Sequence, residues 1–194
     1  MRMFVRLFVP LVLFVSLAAG QDNAWKLDKS HSSIAFSIPH MVISEVHGRF
    51  DDFNVTFTSP GDNLNNASVT ATIDVKSIDT GSEGRDKELR SANFFDVQKY
   101  PEIRFTSTSF KKVGGNAYDI NGDLTIRDVT KHVTFKAEHR GTIKTQRGSI
   151  SAWSVSLKID RFDYGLAWNK VLETGGLVAG ETVTITMNLE FRGS

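Results

Sequence analysis

The chain has 194 residues, no cysteine and a formal net charge of +1 at pH 7. This length suits one domain, and the lack of cysteine excludes disulfides, zinc–thiolate sites and thiol nucleophiles. A charge so close to zero gives the protein no electrostatic reason to bind nucleic acid or anionic lipid. Its stability must therefore come from a packed core.

Residues 1–20 have the organisation of a secretory signal peptide. Two arginines precede an apolar segment at 8–17, and small residues lead up to a cleavage point near Gly20. The sequence thus predicts a mature domain of residues 21–194 with a net charge of −1, located in the periplasm or outside the cell. No cysteine follows the leader to carry a lipid anchor, and no second apolar run is long enough to span a bilayer, so stable membrane insertion is not expected.

The mature chain alternates apolar and polar residues with a period of two, which is typical of β-strands with one buried face. Two stretches, 41–45 and 163–180, are irregular. In chain order the alternation predicts strands at 31–39, 48–58, 68–76, 102–111, 118–126, 131–138, 148–161 and 182–191.

The run at 118–126 can be interpreted in two ways. Asn121-Gly122 is a usual signal for a tight hairpin turn. The apolar positions from Tyr118 to Ile126 nevertheless stay in phase across this pair. We therefore expect one continuous strand with Gly122 inside it, at a bulge, and a turn at 127–130 instead.

Residues 79–105 interrupt the alternation. Ser82 can cap a helix, the following residues are good helix formers, and the residue before Pro101 is disfavoured in a helix. We expect one short helix in this crossover, near 83–95, ending in the aromatic pair Phe94-Phe95. The segment either caps a hollow interior or fills a gap in the core with its phenylalanines, and the two interpretations are compatible.

These elements predict an all-β fold. Eight or nine strands with one short helix and no βαβ spacing favour an antiparallel meander. No amphipathic helix is available to cover the apolar face of a flat sheet, so closure of the sheet into a barrel is favoured. A barrel of about eight strands either fills its interior with side chains or holds one small ligand.

No catalytic motif stands out. The sequence has no HExxH, GxSxG, P-loop or GxGxxG pattern. The five histidines are interpreted as surface residues, although a metal site assembled across strands stays open. Asp86 and Glu88 lie beside Arg85 and Arg90, which is more typical of a solvated helix face than of an acid–base pair.

Several short motifs occur in a specific order and spacing over residues 25–192. They are Trp25-Lys-Leu-Asp28 with His31-Ser-Ser-Ile-Ala-Phe36, Val46-His-Gly-Arg-Phe-Asp-Asp-Phe53, Ser77-Ile-Asp-Thr80 with Arg85-Asp-Lys-Glu-Leu-Arg-Ser-Ala-Asn-Phe-Phe-Asp96, Tyr100-Pro-Glu-Ile-Arg-Phe105, Gly122-Asp-Leu-Thr-Ile-Arg-Asp-Val-Thr-Lys131, and Phe162-Asp-Tyr-Gly-Leu-Ala-Trp-Asn169 with Glu173-Thr-Gly-Gly176. Together they resemble the YceI-like family of periplasmic, lipocalin-like proteins. They differ from the family pattern at Asp128, where glycine is usual, and at His47, where a basic residue is common.

The resemblance implies an extended eight-stranded antiparallel barrel, similar to lipocalins, around a long apolar tunnel. It implies a long amphiphilic lipid as the small-molecule partner, of the polyisoprenoid, isoprenoid quinone or fatty amide type. It implies no catalytic residues, no metal and no cofactor other than this non-covalently bound lipid. Homodimerisation stays open.

We expect the inward strand faces to line the tunnel and the crossover and the second irregular stretch to form its entrance. Ordinary core packing is the alternative for each apolar residue. A small enzyme acting on the bound lipid, and a solid-core β protein acting through its surface, are the alternative functions. The expected ligand-binding residues are Ile34, Phe36, Ile38, Phe53, Val55, Phe57, Phe94, Phe95, Phe105, Phe135, Trp153, Val155 and Leu157 in the wall, with Arg85, Asp86, Trp168 and Asn169 at the entrance.

Overall fold

The computed structural model describes residues 22–60, 64–168 and 178–193. The predicted signal peptide and Asn169 lie outside this part of the chain. The described residues form one α-helix, α1 (Glu83–Arg90). The strands are β1 (Asp22–Leu27), β2 (Ser33–His40), β3 (Ser44–Phe50), β4 (Phe53–Pro60), β5 (Ser68–Asp74), β6 (Ile78–Asp79), β7 (Glu102–Gly114), β8 (Ala117–Ile126), β9 (Val129–Thr145), β10 (Gly148–Asp160) and β11 (Thr182–Gly193).

The strands form one closed antiparallel barrel. Its ring runs β1-β4-β5-β7-β8-β9-β10-β11, and pairing of β1 with β11 closes it. The remaining strands form a second series of pairs that starts from the same strand β11. In this series β2 pairs with β11, β3 with β2 and β6 with β3. Each of the pairs β1/β2, β3/β4 and β5/β6 is thus one barrel strand broken near its middle. The predicted all-β barrel of eight antiparallel strands with one short helix is confirmed.

Short acidic side chains mark the breaks. Asp28 accepts a hydrogen bond from the backbone of Ser30 at the start of a 3₁₀ turn, and Asp74 does the same for Lys76. These local bonds compete with the strand ladder and bend the chain over the core. The prediction of an uninterrupted strand at 68–76 is wrong at its end, because a 3₁₀ turn begins after Asp74. The strand predicted at 48–58 is broken by a bend at 51–52.

The continuous strand through Gly122 is confirmed. It lies inside β8, opposite a register shift between Ser107 and Ser109 of β7. A Cβ atom at Gly122 would lie 2.4 Å from the backbone oxygen of Thr106, so the bulge requires glycine. The turn falls at 127–128, where Arg127 has a φ of 57°.

The crossover helix is shorter than expected. It ends at Arg90 and turns follow, and Ser82 occupies the N-cap position without a capping side-chain hydrogen bond. Arg90 fixes the helix to the end of the third barrel strand by donating to the backbone oxygens of Lys76, at 2.8 Å, and Ile78. The helix therefore sits where β6 stops after two residues and leaves the wall without a strand.

The other end of the barrel is filled by aromatic rings. Phe57 lies at its centre, with ring centroids 5.5 Å from Phe191, 5.8 Å from Trp153 and 6.0 Å from Phe110. These four residues, here called the floor, are all buried. Within the described part of the chain, no helix has the length and apolar content needed to cross a bilayer.

Candidate functional site

The barrel encloses a cavity of about 380 Å³ between the floor and α1. Its wall is built from the inward faces of the strands, as the alternation predicted. Thirteen residues that the sequence singled out line it, namely Ile34, Phe36, Ile38, Val55, Phe57, Arg85, Phe94, Phe95, Phe105, Phe135, Trp153, Val155 and Trp168.

Three other expected residues do not line the cavity. Phe53 is buried in the core, where it pairs with Ile73 directly after the bend between β3 and β4. Leu157 is half-buried and packs against the core without reaching the cavity. Asp86 is 6% exposed but points toward the backbone of Thr80 rather than into the entrance. The fourth, Asn169, lies outside the described residues.

Some residues of the wall were not predicted from the sequence. Phe50 and Val46 come from β3, whose start looked irregular, although the same two-residue alternation would have placed both on one face. Leu89 comes from α1 and faces the cavity with Phe95. Arg161 gave no signal at all, because a charged residue at the end of a strand usually faces water.

The cavity is polar at one end only. Among the described residues that line it, those with charged or hydrogen-bonding side chains other than tryptophan are His40, Thr80, Arg85, Glu88 and Arg161, all at the end near α1. Trp168 and Arg85 are exposed while the floor residues are buried. Solvent therefore reaches the cavity at this end, which we call the mouth and define by His40, Thr80, Arg85, Glu88, Phe94 and Trp168.

Two aromatic contacts shape the mouth. The ring centroids of Phe94 and Trp168 lie 5.4 Å apart, and Trp168 keeps 40% of its surface exposed. Phe95 makes an edge contact with Phe50 at 6.3 Å, deeper in the wall. Both interpretations of the crossover are thus met at once, because one phenylalanine lies at the mouth and the next packs into the core.

Arg161 fixes the segments beside the mouth. It is 2% exposed, and its guanidinium donates to four backbone oxygens: Gly180 at 2.8 Å, Trp168 at 2.9 Å, Ala179 at 3.2 Å, and Leu166. Burial lowers the pKa of this guanidinium, and the nearby carboxylates of Asp160 and Glu181 partly offset that effect. The carbonyl dipoles take the place of an ion-pair partner, so we interpret Arg161 as a structural clamp.

A second polar chain begins at Asp86. Its carboxylate accepts from the Thr80 backbone N at 2.9 Å and from Thr80 Oγ1 at 2.5 Å. Arg85 in turn donates from Nε to Thr80 Oγ1 and from Nη2 to the Thr80 backbone oxygen, each at 2.7 Å. The buried carboxylate therefore does not face a ligand itself, but it fixes Thr80, which fixes the guanidinium of Arg85.

One group of residues has the composition of a metal site. Ligand atoms of Asp28, His31 and Glu190 lie within 4.8 Å of one another. Arg192, however, reaches Asp28 Oδ2 with Nη2 at 2.6 Å and with Nε at 2.8 Å. Hydrogen bonds from Ser30, Arg192 and His31 hold the pKa of Asp28 well below its ordinary value. The group is interpreted as an ion-pair network, because the Arg192 guanidinium already pairs with the Asp28 carboxylate oxygen that would have to coordinate a metal ion.

Comparison with known proteins gives consistent matches. The profile of the YceI-like domain matches residues 25–191. A UPF0312 protein of Staphylococcus epidermidis is 36% identical over 169 residues, which cover 86% of this chain and 96% of that protein.

Two solved structures have the same fold. Burkholderia cenocepacia BcnA superposes with a TM-score of 0.73 at 24% identity, over 84% of this chain and 98% of that one. A polyisoprenoid binding domain from Saccharophagus degradans, implicated in plant cell wall breakdown, superposes with a TM-score of 0.62 at 19% identity, over 88% and 98%. At such identities the likeness shows the fold alone.

Proposed function

Because this chain belongs to the YceI-like domain family, we propose that it binds one long-chain amphiphilic lipid inside the barrel and carries or sequesters it. The observation that carries this proposal is the cavity of about 380 Å³, whose lining is apolar along the wall and carries its charged groups only at the end near α1. The classes that the family resemblance implies are polyisoprenoids, isoprenoid quinones and fatty amides. The likeness in fold to a domain named for polyisoprenoid binding supports the same class of ligand.

The cavity has the polarity that an amphiphile needs. Each methylene group buried against the wall contributes about 0.8 kcal/mol, so a long tail supplies most of the affinity. The tail end meets the floor of Phe57, Phe110, Trp153 and Phe191, and the head group remains at the mouth. A few polar groups there are enough to orient it.

The compartment is part of the proposal. The pattern of residues 1–20 supports secretion, with the mature protein acting in the periplasm or outside the cell. There it would hold a water-insoluble molecule in a form that can diffuse between membranes.

The two alternative functions have less support. A solid-core protein would have a filled interior, which does not fit the cavity. An enzyme would need a nucleophile and a base directed at the ligand. The nearest candidate at the mouth is Thr80 with Asp86, but the Thr80 hydroxyl also accepts from Arg85 Nε, and this cationic donor makes its oxygen a poorer nucleophile.

Extraction of the purified protein tests the proposal. Protein isolated without detergent from its native host is extracted with organic solvent, and the extract is analysed by mass spectrometry. We expect one class of long-chain amphiphile at close to one molecule per chain. The proposal is wrong if no such compound is released and the protein also fails to take up a fluorescent fatty-chain probe.

A pair of variants provides the control. Ala71 lines the cavity, and the neighbouring Thr70 faces outward from the same strand. Ala71→Phe fills part of the cavity and should reduce both the extracted lipid and probe uptake. Thr70→Phe adds the same ring to the outer surface and should leave both unchanged.

A further inference from the structure

We propose that the mouth is built to hold an acidic head group, a carboxylate or a phosphate, on the outer edge of the Arg85 guanidinium. This inference rests on the proposed lipid binding and names the head-group chemistry that the site selects.

The hydrogen bonds of Arg85 leave one edge of its guanidinium free. Nε and one hydrogen of Nη2 are directed at Thr80. Among the described residues, Nη1 has no hydrogen-bond partner and no carboxylate forms an ion pair with Arg85. A guanidinium offers five N–H donors, so the Nη1–Nη2 edge remains for a ligand. That edge matches the two oxygens of a carboxylate or phosphate with parallel hydrogen bonds.

The guanidinium is fixed before any ligand binds. The hydroxyl hydrogen of Thr80 is committed to buried Asp86 at 2.5 Å, so the Thr80 oxygen presents a lone pair to Arg85 Nε. The Thr80 backbone oxygen holds Nη2 at a second point. A side chain held at two points loses less rotamer freedom when a head group arrives, which favours binding. Asp86 is therefore a positioning residue that acts through Thr80.

The other charged groups at this end do not compete for that role. Arg161 also lines the cavity, but its donors are directed at four backbone oxygens. Glu88, three residues after Arg85 on α1, accepts from Asn93 Nδ2 at 2.8 Å. Two guanidinium groups and one carboxylate line this end, since the Asp86 carboxylate is directed at Thr80, so the charged groups that face the cavity are net positive and favour an anion.

A neutral head group can use the same edge less well. An amide or quinone oxygen accepts hydrogen bonds from a guanidinium, but it carries no negative charge and does not present the two equivalent oxygens that form a bidentate pair. The expected difference in affinity between an ionised acid and its amide is about tenfold.

The test compares ligands that differ only in the head group. Delipidated protein is titrated at pH 8 with oleic acid and oleamide, and separately with farnesyl phosphate and farnesol, all below their aggregation concentrations. We expect the acidic member of at least one pair to bind about tenfold more tightly. The pair that shows the preference identifies the head group as a carboxylate or a phosphate.

Variants assign the preference to one side chain. Arg85→Gln should abolish it, because the acidic member then loses its cationic partner and binds no more tightly than its neutral counterpart. Arg85→Lys, which keeps the charge without the planar fork, should retain part of it. Lys87→Gln is the matched control, because Lys87 is exposed on the same helix and does not line the cavity; it should leave the preference intact.

Each contrary outcome has its own meaning. Equal affinity for the acidic and neutral members of both pairs overturns the head-group inference and leaves lipid binding in place. Equal losses in Arg85→Gln and Lys87→Gln also overturn it, because they show a general effect of charge. Failure of all four ligands to bind would instead contradict the proposed function.

Discussion

Arg161 shows how one buried side chain can order two segments beside a cavity. It donates to backbone oxygens of 166 and 168 on one side and of 179 and 180 on the other. These bonds are distant in sequence from one another, so the role of Arg161 could not be read from its place at the end of a strand. Asp86 was misplaced for a different reason, because its partners are the backbone N and the hydroxyl of Thr80, six residues earlier, and not the solvent.

The first prediction concerns this clamp. Arg161→Lys keeps the charge but cannot reach four carbonyl oxygens, so buried oxygens lose their donors. We expect a loss of about 3 kcal/mol in the free energy of unfolding, measured in urea. Trp168 should also become more exposed to a fluorescence quencher. Arg104→Lys, at an exposed ion pair with Glu102, is the control and should change stability little; equal effects of the two variants would contradict the clamp.

A second prediction at this scale concerns Asp28. Hydrogen bonds from Ser30, Arg192 and His31 keep its pKa in the folded protein below the unfolded value of about 4. The stability that it contributes is thus complete above that unfolded pKa and is lost as the pH falls toward the folded one. Asp28→Asn should lower the melting temperature at pH 7, and its difference from the wild type should shrink below pH 4. A difference that is the same at both pH values would show that the charge of Asp28 is not the cause.

At the scale of elements, the alternation of apolar and polar residues predicted most strands because it reports directly which side chains face the core. It could not predict where a strand breaks, since the breaks depend on local bonds from Asp28 and Asp74 to their own backbone. The alternation did predict β8 correctly as one continuous strand, because the apolar residues stay in phase across the Asn121-Gly122 turn signal.

The prediction for this element uses two glycines. A methyl group at Gly122 would lie 2.4 Å from the Thr106 oxygen and 2.6 Å from the Phe105 ring, whereas one at Gly84 in α1 would meet nothing within 4 Å. Gly122→Ala should therefore destabilise the barrel by about 3 kcal/mol. Gly84→Ala should stabilise it by up to about 1 kcal/mol through helix propensity. Chemical denaturation measures both, and a mild effect at Gly122 would mean that the bulge can relax.

At the scale of the whole molecule, closure of the sheet followed from the sequence because no helix could cover its apolar face. The aromatic floor that closes one end of the barrel could not be predicted from the sequence. Phe57, Phe110 and Trp153 come from three strands that are far apart in sequence, and alternation gives the face of a residue but not its height in the barrel. Only the register, such as Trp153 opposite Leu189, places these rings at one level.

The floor should therefore set the length of tail that the barrel accepts, provided that the proposed lipid binding holds. Phe110 is a buried floor residue that lines the cavity, and Phe53 is equally buried without lining it. Replacing either with alanine should cost about 3–4 kcal/mol of stability. Only Phe110→Ala should lengthen the cavity and move the best-bound member of a fatty-acid series toward longer chains, because the lost ring opens space in line with the tail. Competition against a fluorescent fatty acid measures the optimum for each variant, and an unchanged optimum in Phe110→Ala would show that the tail does not reach the floor.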